Sequence, residues 1–431
     1  MAKFSVVATG DSMLVQRLAY NDPACLELKK LFSTADVRFT NFELQIHDFE
    51  VFPSAVSGGT WVAARPAVID DLKWLGFNIF AAATNHTLDW GLDGLVTTMR
   101  HLNEKQCLYA GIGMNLAEAS MPKYLDVPQG RVALISVCST GPNWYIAGQA
   151  RPDVLGRPGL NMLRFTTINY LPKEDLARLK AIVSKTNVNA KRLLSEQEGF
   201  DKPLPGFAVG TERFEEGTPG TKTFCNKEDL ARIKAAIEEA KQQADIVLIS
   251  HHAHEFGGTQ KIIPADYIKE FAHFCIDAGV DAYLGHGPHI LRGIEIYKEK
   301  PVFYSLGDFF IQNDSIERQP ADFYAKYGLG AEATVAQGFA ARSKNNTRGL
   351  MCDKLALESC LTKFVVEGHT IKEVELIPLS LGPDKPRSRR GRPEIADKED
   401  GKRILAYLQE LSKEFGTKIA IKAGKGKIKI K

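Results

Sequence analysis

Six apolar, strand-like runs in this chain each end on a carboxylate, an Asn-His pair or a histidine. They cover residues 6–11 ending on Asp11, 37–43 on Glu43, 80–86 on Asn85-His86, 246–252 on His251-His252, 282–286 on His286 with His289 just beyond, and 302–308 on Asp308. A buried strand reads as a short continuous apolar run, and in an open α/β sheet the loops leaving the carboxyl ends of the strands line the binding crevice. Segments far apart in sequence therefore meet in one pocket. An imidazole or carboxylate emerging there is costly to desolvate unless it is paired, hydrogen-bonded or bound to a cation. A mixed Asp, Glu, Asn and His set suits divalent first-row metals.

The motifs differ in what they contribute. Gly10-Asp11 alone reads as a common turn signal, and Asn41-Phe42-Glu43 as a loop with an ordinary exposed Glu. Asn85-His86 places an amide oxygen and a proton donor at one point, as metal-assisted ester hydrolysis requires, although Asn is also a common helix cap. His252-Ala253-His254-Glu255 offers imidazoles two residues apart, so both approach one cation or one binds while the other contacts substrate. Gly285-His286-Gly287-Pro288-His289 combines close backbone approach with two histidines three apart. The seven cysteines form no CxxC pair and lie mostly in apolar runs, so they read as reduced and structural.

These residues must be positioned by alternating strands and helices. Helical patterns cover 22–32, 67–75, 91–103, 173–194, 227–243 and 266–277, and strands are expected near 364–366 and 374–378. Such βα alternation implies a layered α/β sheet. Residues 141–225, rich in Pro and Gly at both ends and with a long polar helix between, read as an insertion or lid within a domain spanning 1–384. Between 310 and 348 no pattern stands out.

The chain has 431 residues, 44% of them hydrophobic, enough to bury a sizeable core. No run of about 18 apolar residues is present, so no membrane span is expected. The start lacks a signal-peptide pattern, which points to the cytoplasm. Net charge is +3, but residues 385–431 hold 15 Lys and Arg against 6 Asp and Glu, making a basic tail with a short helix on a mildly acidic body. The tail lacks the aromatic interleaving of a single-strand binding groove, and the body opposes a long polyanion, so a nucleic-acid partner is not expected. The oligomeric state is not legible.

The ordered motifs Gly10-Asp11-Ser12-Met13, Asn41-Phe42-Glu43, Asn85-His86-Thr87-Leu88-Asp89-Trp90-Gly91, His252-Ala253-His254-Glu255, Gly285-His286-Gly287-Pro288-His289 and Tyr304-Ser305-Leu306-Gly307-Asp308-Phe309 resemble those of the CapA family. That is the capsule and poly-γ-glutamate biosynthesis family within the calcineurin-like metallophosphoesterases. The resemblance implies a four-layer αββα sandwich with a two-metal site (manganese, zinc or iron) at the sheet ends. By position it makes Asp11, Glu43, Asn85, His252, His286 and His289 metal ligands, with Glu43 bridging. His86 then serves the leaving group or the charged transition state, with His254 as a second catalytic histidine.

Three departures from the superfamily pattern stand out. Met13 replaces the histidine of an Asp-x-His motif and leaves one metal a ligand short, Glu43 replaces the commoner Asp, and Asp308 stands where this branch usually has Asn. The expected activity is hydrolysis of a phosphoester or a related anionic ester or amide, with binding of an anionic polymer without turnover as the alternative. Arg17, Arg65 and Arg292, with Asp89 and Glu255, are the candidates for contacting an anionic small molecule or polymer.

Overall fold

The computed structural model describes residues 3–430. Two large sheets stack face to face. In the first, the parallel strands Lys3–Met13, Val37–Phe42 and Ile79–Ala81 lie side by side, with Asp308–Ile311 parallel to the end of Lys3–Met13. In the second, Gly130–Cys138, Ile246–His252, Ala282–His286 and Lys300–Phe303 are likewise parallel neighbours. Antiparallel strands extend both sheets outward.

Strand side chains alternate between faces, and the burial follows that period. Val6 and Ala8 face Leu134, Leu248 and Leu284 across the space between the sheets, while Val7 points outward toward Leu28 and Leu72. On the outer faces, helices Pro23–Phe32, Ala67–Leu75 and Gly91–Glu104 cover the first sheet. Helices Lys227–Gln243 and Asp266–Ala278 cover the second. The four-layer αββα sandwich expected from the resemblance is therefore the fold.

Helix boundaries followed local chemistry closely. Asp22 caps the first helix by accepting from the Ala24 amide ahead of Pro23, and Gly76 ends the second in the left-handed region. The expected helix 173–194 is instead two, Lys173–Val183 and Ala190–Gln197, separated at Thr186-Asn187-Val188-Asn189, where β-branched and Asn side chains disfavour a continuous helix. They lie in the same stretch as a separate four-stranded sheet of Phe165–Leu171, Phe207–Val209, Glu212–Glu216 and Gly220–Cys225. That sheet packs on the Asp266–Ala278 helix, where Phe165 stacks on Tyr267 at 4.2 Å. Within 310–348, where no pattern was readable, two short helices form at Ala321–Lys326 and Val335–Ser343.

The basic segment after residue 384 is part of this architecture rather than an appended tail. Strand Lys425–Lys429 pairs with Thr370–Ser380, and helix Lys398–Ser412 buries Ile404, Leu405 and Leu408 in the core between the sheets. Its charge is partly neutralised in place: Lys425 and Lys427 pair with Glu375 and Glu373 on the neighbouring strand. A count of charge along the sequence does not see that cross-strand register. Among the described residues no helix is long and apolar enough to cross a membrane.

Candidate metal centre

Register brings the sequence-distant ligand candidates together. Asp11 stands opposite Asn41 on one side and Asp308 on the other, and in the second sheet His252 stands opposite His286. Both sheets end at the same edge, so the two rows face each other. Gly10 is required there: a Cβ would strike the Gly307 carbonyl, and the Asp11 amide donates to that same oxygen at 3.1 Å. His289 reaches the cluster from a left-handed backbone conformation, φ 57°, unusual for a non-glycine residue.

His252 is the hub. Its Nδ1 lies 3.5 Å from Asp11 Oδ1 and 3.0 Å from His286 Nδ1, and its Nε2 lies 2.8 Å from Asn85 Oδ1, 3.1 Å from His254 Nε2 and 3.5 Å from Glu43 Oε1. The supporting contacts aim the rings. The Ser250 hydroxyl holds His286 Nε2 at 2.6 Å, leaving Nδ1 3.2 Å from Asp11. Asp308 Oδ1 holds His289 Nδ1 at 2.8 Å, leaving Nε2 3.9 Å from Glu43. Asn41 donates to Asp11 Oδ1 at 2.6 Å.

Three overlapping sets of ligand atoms each lie within 4.8 Å of one another: Asp11, His252 and His286; Glu43, His254 and His289; and Asp11, Glu43, His289 and Asp308. The donor chemistry fits divalent cations. Both Glu43 oxygens are buried with no hydrogen-bond partner among the described residues, as are Asp308 Oδ2 and Asn41 Oδ1. Ring nitrogens that face each other at 3.0 and 3.1 Å need a shared proton or a cation between them.

Electrostatics agree with the geometry. Burial alone would raise the Asp11 carboxyl, but its contacts with His252 and His286 hold it well below the ordinary range. Burial, reinforced by the charges of Asp11, Asp308 and Asp89, pushes Glu43 well above it. Burial lifts Asp308 to about 6 against the pull of His289. It also lowers His252 to about 4 and keeps His254 well below the usual imidazole range. Burial and mutual repulsion thus work against ionising Glu43 and Asp308, and cations in the cluster would oppose that.

The remaining candidates divide. His86 lies beside the cluster, its Nδ1 2.6 Å from Asp89 Oδ2 and its Nε2 3.9 Å from Glu43. Asp89 is itself fixed by the amides of Gly58 and Val62, each at 2.8 Å, so it orients His86 rather than facing a ligand. Glu255 is tied to Thr140 at 3.0 Å and to the Tyr267 hydroxyl at 2.6 Å, below the His254 backbone. Arg292 is fully buried, its Nε and Nη2 donating to the carbonyls of Lys261 and Glu255 at 3.0 and 2.8 Å so that it braces a loop, while its Nη1 has no partner among the described residues. Arg17 shares no contact with the cluster. Its fork is closed on Asp71 at 2.7 and 2.9 Å, because Asp71 is buried and needs the charge. Arg65 pairs with Glu317 and Asp48.

Met13 packs in the core under the outer helices and offers nothing to the site. Two residues that the sequence placed in the strand-end motifs but not among the metal ligands enter it: Asp308, in a ligand-capable set, and Asn41, on Asp11. Their signal was present as polar residues within strand-end motifs, but only the register between strands shows what they face.

The model of the family described as bacterial capsule synthesis protein, PGA_cap, matches residues 5–313. Two uncharacterized proteins of Sinorhizobium fredii, y4sH and y4uA, are each 35% identical over 441 residues, covering 99% of this chain and 93% of theirs. Capsule biosynthesis protein CapA of Bacillus anthracis is 23% identical over 248 residues, 58% of this chain and 43% of that protein. A probable polyglutamine synthesis accessory protein of Mycobacterium tuberculosis is 38% identical over 245 residues, 57% of this chain and 48% of that one. The matched span runs from the strand carrying Asp11 to the turn just past Asp308, so every strand end that builds the site lies inside it, and the chain belongs to the bacterial capsule synthesis protein family PGA_cap.

Proposed function

We propose that this chain is a metal-dependent hydrolase of a phosphoester or a related anionic ester or amide, with two divalent ions held at the ends of the facing sheets. The observation that carries it is the buried Glu43 carboxylate, which has no hydrogen-bond partner among the described residues and belongs to two of the three sets of ligand atoms. Asp11, His252 and His286 would hold one ion, with Asn85 alongside. Glu43, His254 and His289 would hold the other, and Asp308 supplies the carboxylate that offsets the ligand missing at Met13. Bound there, such ions polarise the scissile bond and lower the pKa of water.

The protein's own groups supply the rest. Asp89 holds His86 in the tautomer that carries its proton on Nδ1, so Nε2 faces the cluster and can take up or deliver a proton at the leaving oxygen. Thr140 accepts from the His254 amide at 2.8 Å and donates to Glu255, which keeps the His252–His254 turn from swinging away.

The names of the Bacillus and Mycobacterium relatives favour capsule or polyglutamine synthesis as the setting, and membership of the PGA_cap family, with its poly-γ-glutamate resemblance, favours an anionic polymer as the wider substrate class. The test is metal content after reconstitution with manganese or zinc. About two ions per chain are expected, and a chain that takes up none overturns the reading in favour of metal-free polymer binding.

Metal uptake is expected to depend on pH with a defined sign. Ligands must lose their protons to bind, and Asp308 at about 6, Glu43 and His289 all hold theirs above the ordinary range for their type. Manganese affinity measured by titration should therefore rise with pH through about 6, by roughly tenfold per unit for each proton displaced. A flat profile from acid to neutral pH would contradict the ligand assignment.

A further inference from the structure

If the site hydrolyses an anionic ester, the grip on the substrate has no owner among the arginines. Arg17 and Arg65 are closed on carboxylates, and Arg292 is buried. A different cation lies on a loop tied to the backbone of the cluster. Residues 255–264 fold back on themselves: Phe256 bridges Pro264, the Gly257 amide donates to the Ile263 carbonyl at 2.9 Å, and Gly258 turns the chain at φ 58°. Arg292 sits inside this loop. Its Nε donates to the Lys261 carbonyl at 3.0 Å, and Nη2 donates to the carbonyls of Glu255 at 2.8 Å and His254 at 3.4 Å. One planar guanidinium thus ties the backbone of Lys261 to that of His254, whose ring packs 5.2 Å from the His289 ring.

Lys261 is exposed, so a ligand can reach it, and among the described residues its ammonium has no ion-pair or hydrogen-bond partner. The carboxylates whose charge it feels are Asp308 and Asp353, neither within pairing distance, and its own charge is felt in turn at His289 and Asp308. The protein packed around the ammonium lowers its pKa from the ordinary lysine value, with Asp308 working against that shift. An unpaired charge on an accessible loop whose backbone is tied through Arg292 to that of His254 is placed for an anion. The carboxylates of Asp11, Glu43 and Asp308 cannot outweigh two divalent ions, so the loaded centre and Lys261 together attract negative charge.

We propose that Lys261 is a specificity-determining residue that binds an anionic oxygen group of the substrate beside the metal centre, its backbone fixed by Arg292 on the Gly257-Gly258 loop. The assignment rests on the hydrolase reading. It selects substrates that carry a phosphate or carboxylate at the scissile bond over neutral esters. Lysine suits the task because its hydrated point charge holds and releases an anion without demanding one planar geometry.

The experiment is calorimetric titration of inorganic phosphate into manganese-loaded native chain and the Lys261→Met and Lys261→Arg variants, with metal content measured on the same samples. All three should carry the same metal, and the phosphate Kd should rise about tenfold or more in Lys261→Met and much less in Lys261→Arg. Equal phosphate affinity in native and Lys261→Met protein overturns the assignment, and so does a loaded native chain that binds no phosphate. Loss of metal from Lys261→Met overturns it too, because the residue would then be supporting the site rather than gripping substrate. A native chain that takes up no metal overturns the metal-centre reading, and this one with it, and is recognised before any phosphate is added.

Discussion

His252→Ala is expected to lower affinity for divalent metal by well over about 100-fold, more than the 10- to 100-fold typical of losing a supporting contact around a metal ligand. No other residue touches so many members of the site: Asp11, Asn85, His254, His286 and Glu43 all lie within 3.5 Å of its ring nitrogens. Both ion positions should therefore empty together. The check is metal content of native and variant protein after reconstitution, with thermal unfolding of the metal-free forms as the control for folding. Retention of one ion per chain would mean that the Glu43, His254 and His289 set stands without the hub, and the coupling inferred between the two positions would be wrong.

Glu43→Gln should do two opposite things. In metal-free protein it removes a buried carboxyl that has no donor on either oxygen and sits near Asp11, Asp308 and Asp89. Its folded-state pKa is raised, so protonated Glu43 costs the fold nothing below the unfolded value near 4.5, and stability is lost as pH rises from there toward the folded value. Metal-free Glu43→Gln should accordingly match the native chain near that acid limit. Well above it the variant should be more stable by about 1–3 kcal/mol. Adding manganese reverses the order: at a free concentration 100 times its Kd, an ion that binds only the folded state adds about 2.7 kcal/mol to the native chain, and the variant should gain little. Denaturant melts at several pH values, with and without metal, check both halves. A variant less stable than native in the metal-free state at neutral pH would show that Glu43 has a partner the geometry lacks.

These effects arise from residues that the sequence marks with unequal clarity. Asp11, Glu43, Asn85, His252, His286 and His289 are readable because each closes an apolar run, and a polar group at a strand end has few reasons to be there. The helices were readable for a similarly local cause. Asp22 before Pro23 marks a start, Gly76 and Gly279 mark stops, and the apolar spacing between is set by 3.6 residues per turn.

Arg17 and Arg292 look alike in the sequence, as free guanidinium groups near motifs, but one is closed on buried Asp71 and the other is sunk under the loop carrying Lys261. Nothing within a few residues of either reveals its partner, because Asp71 comes from the helix Ala67–Leu75 and the carbonyls from a loop more than thirty residues away. The basic segment misled for the same reason. Lys425 and Lys427 find Glu375 and Glu373 only through strand pairing across about fifty residues.

The sequence by itself determined the local periods, the turns, the strand-end chemistry and, through the order of its motifs, the family and its layered sandwich. The tertiary structure alone decided which charges are satisfied and which are left over: Asp308 brought beside Asp11 by parallel register, Glu43 buried with no donor, Asp89 committed to His86, and Lys261 held unpaired at the rim. The division is physical. Propensity and hydrophobic period act over a turn or a strand, whereas the pairing of a charge depends on what the fold carries to within a few ångströms of it.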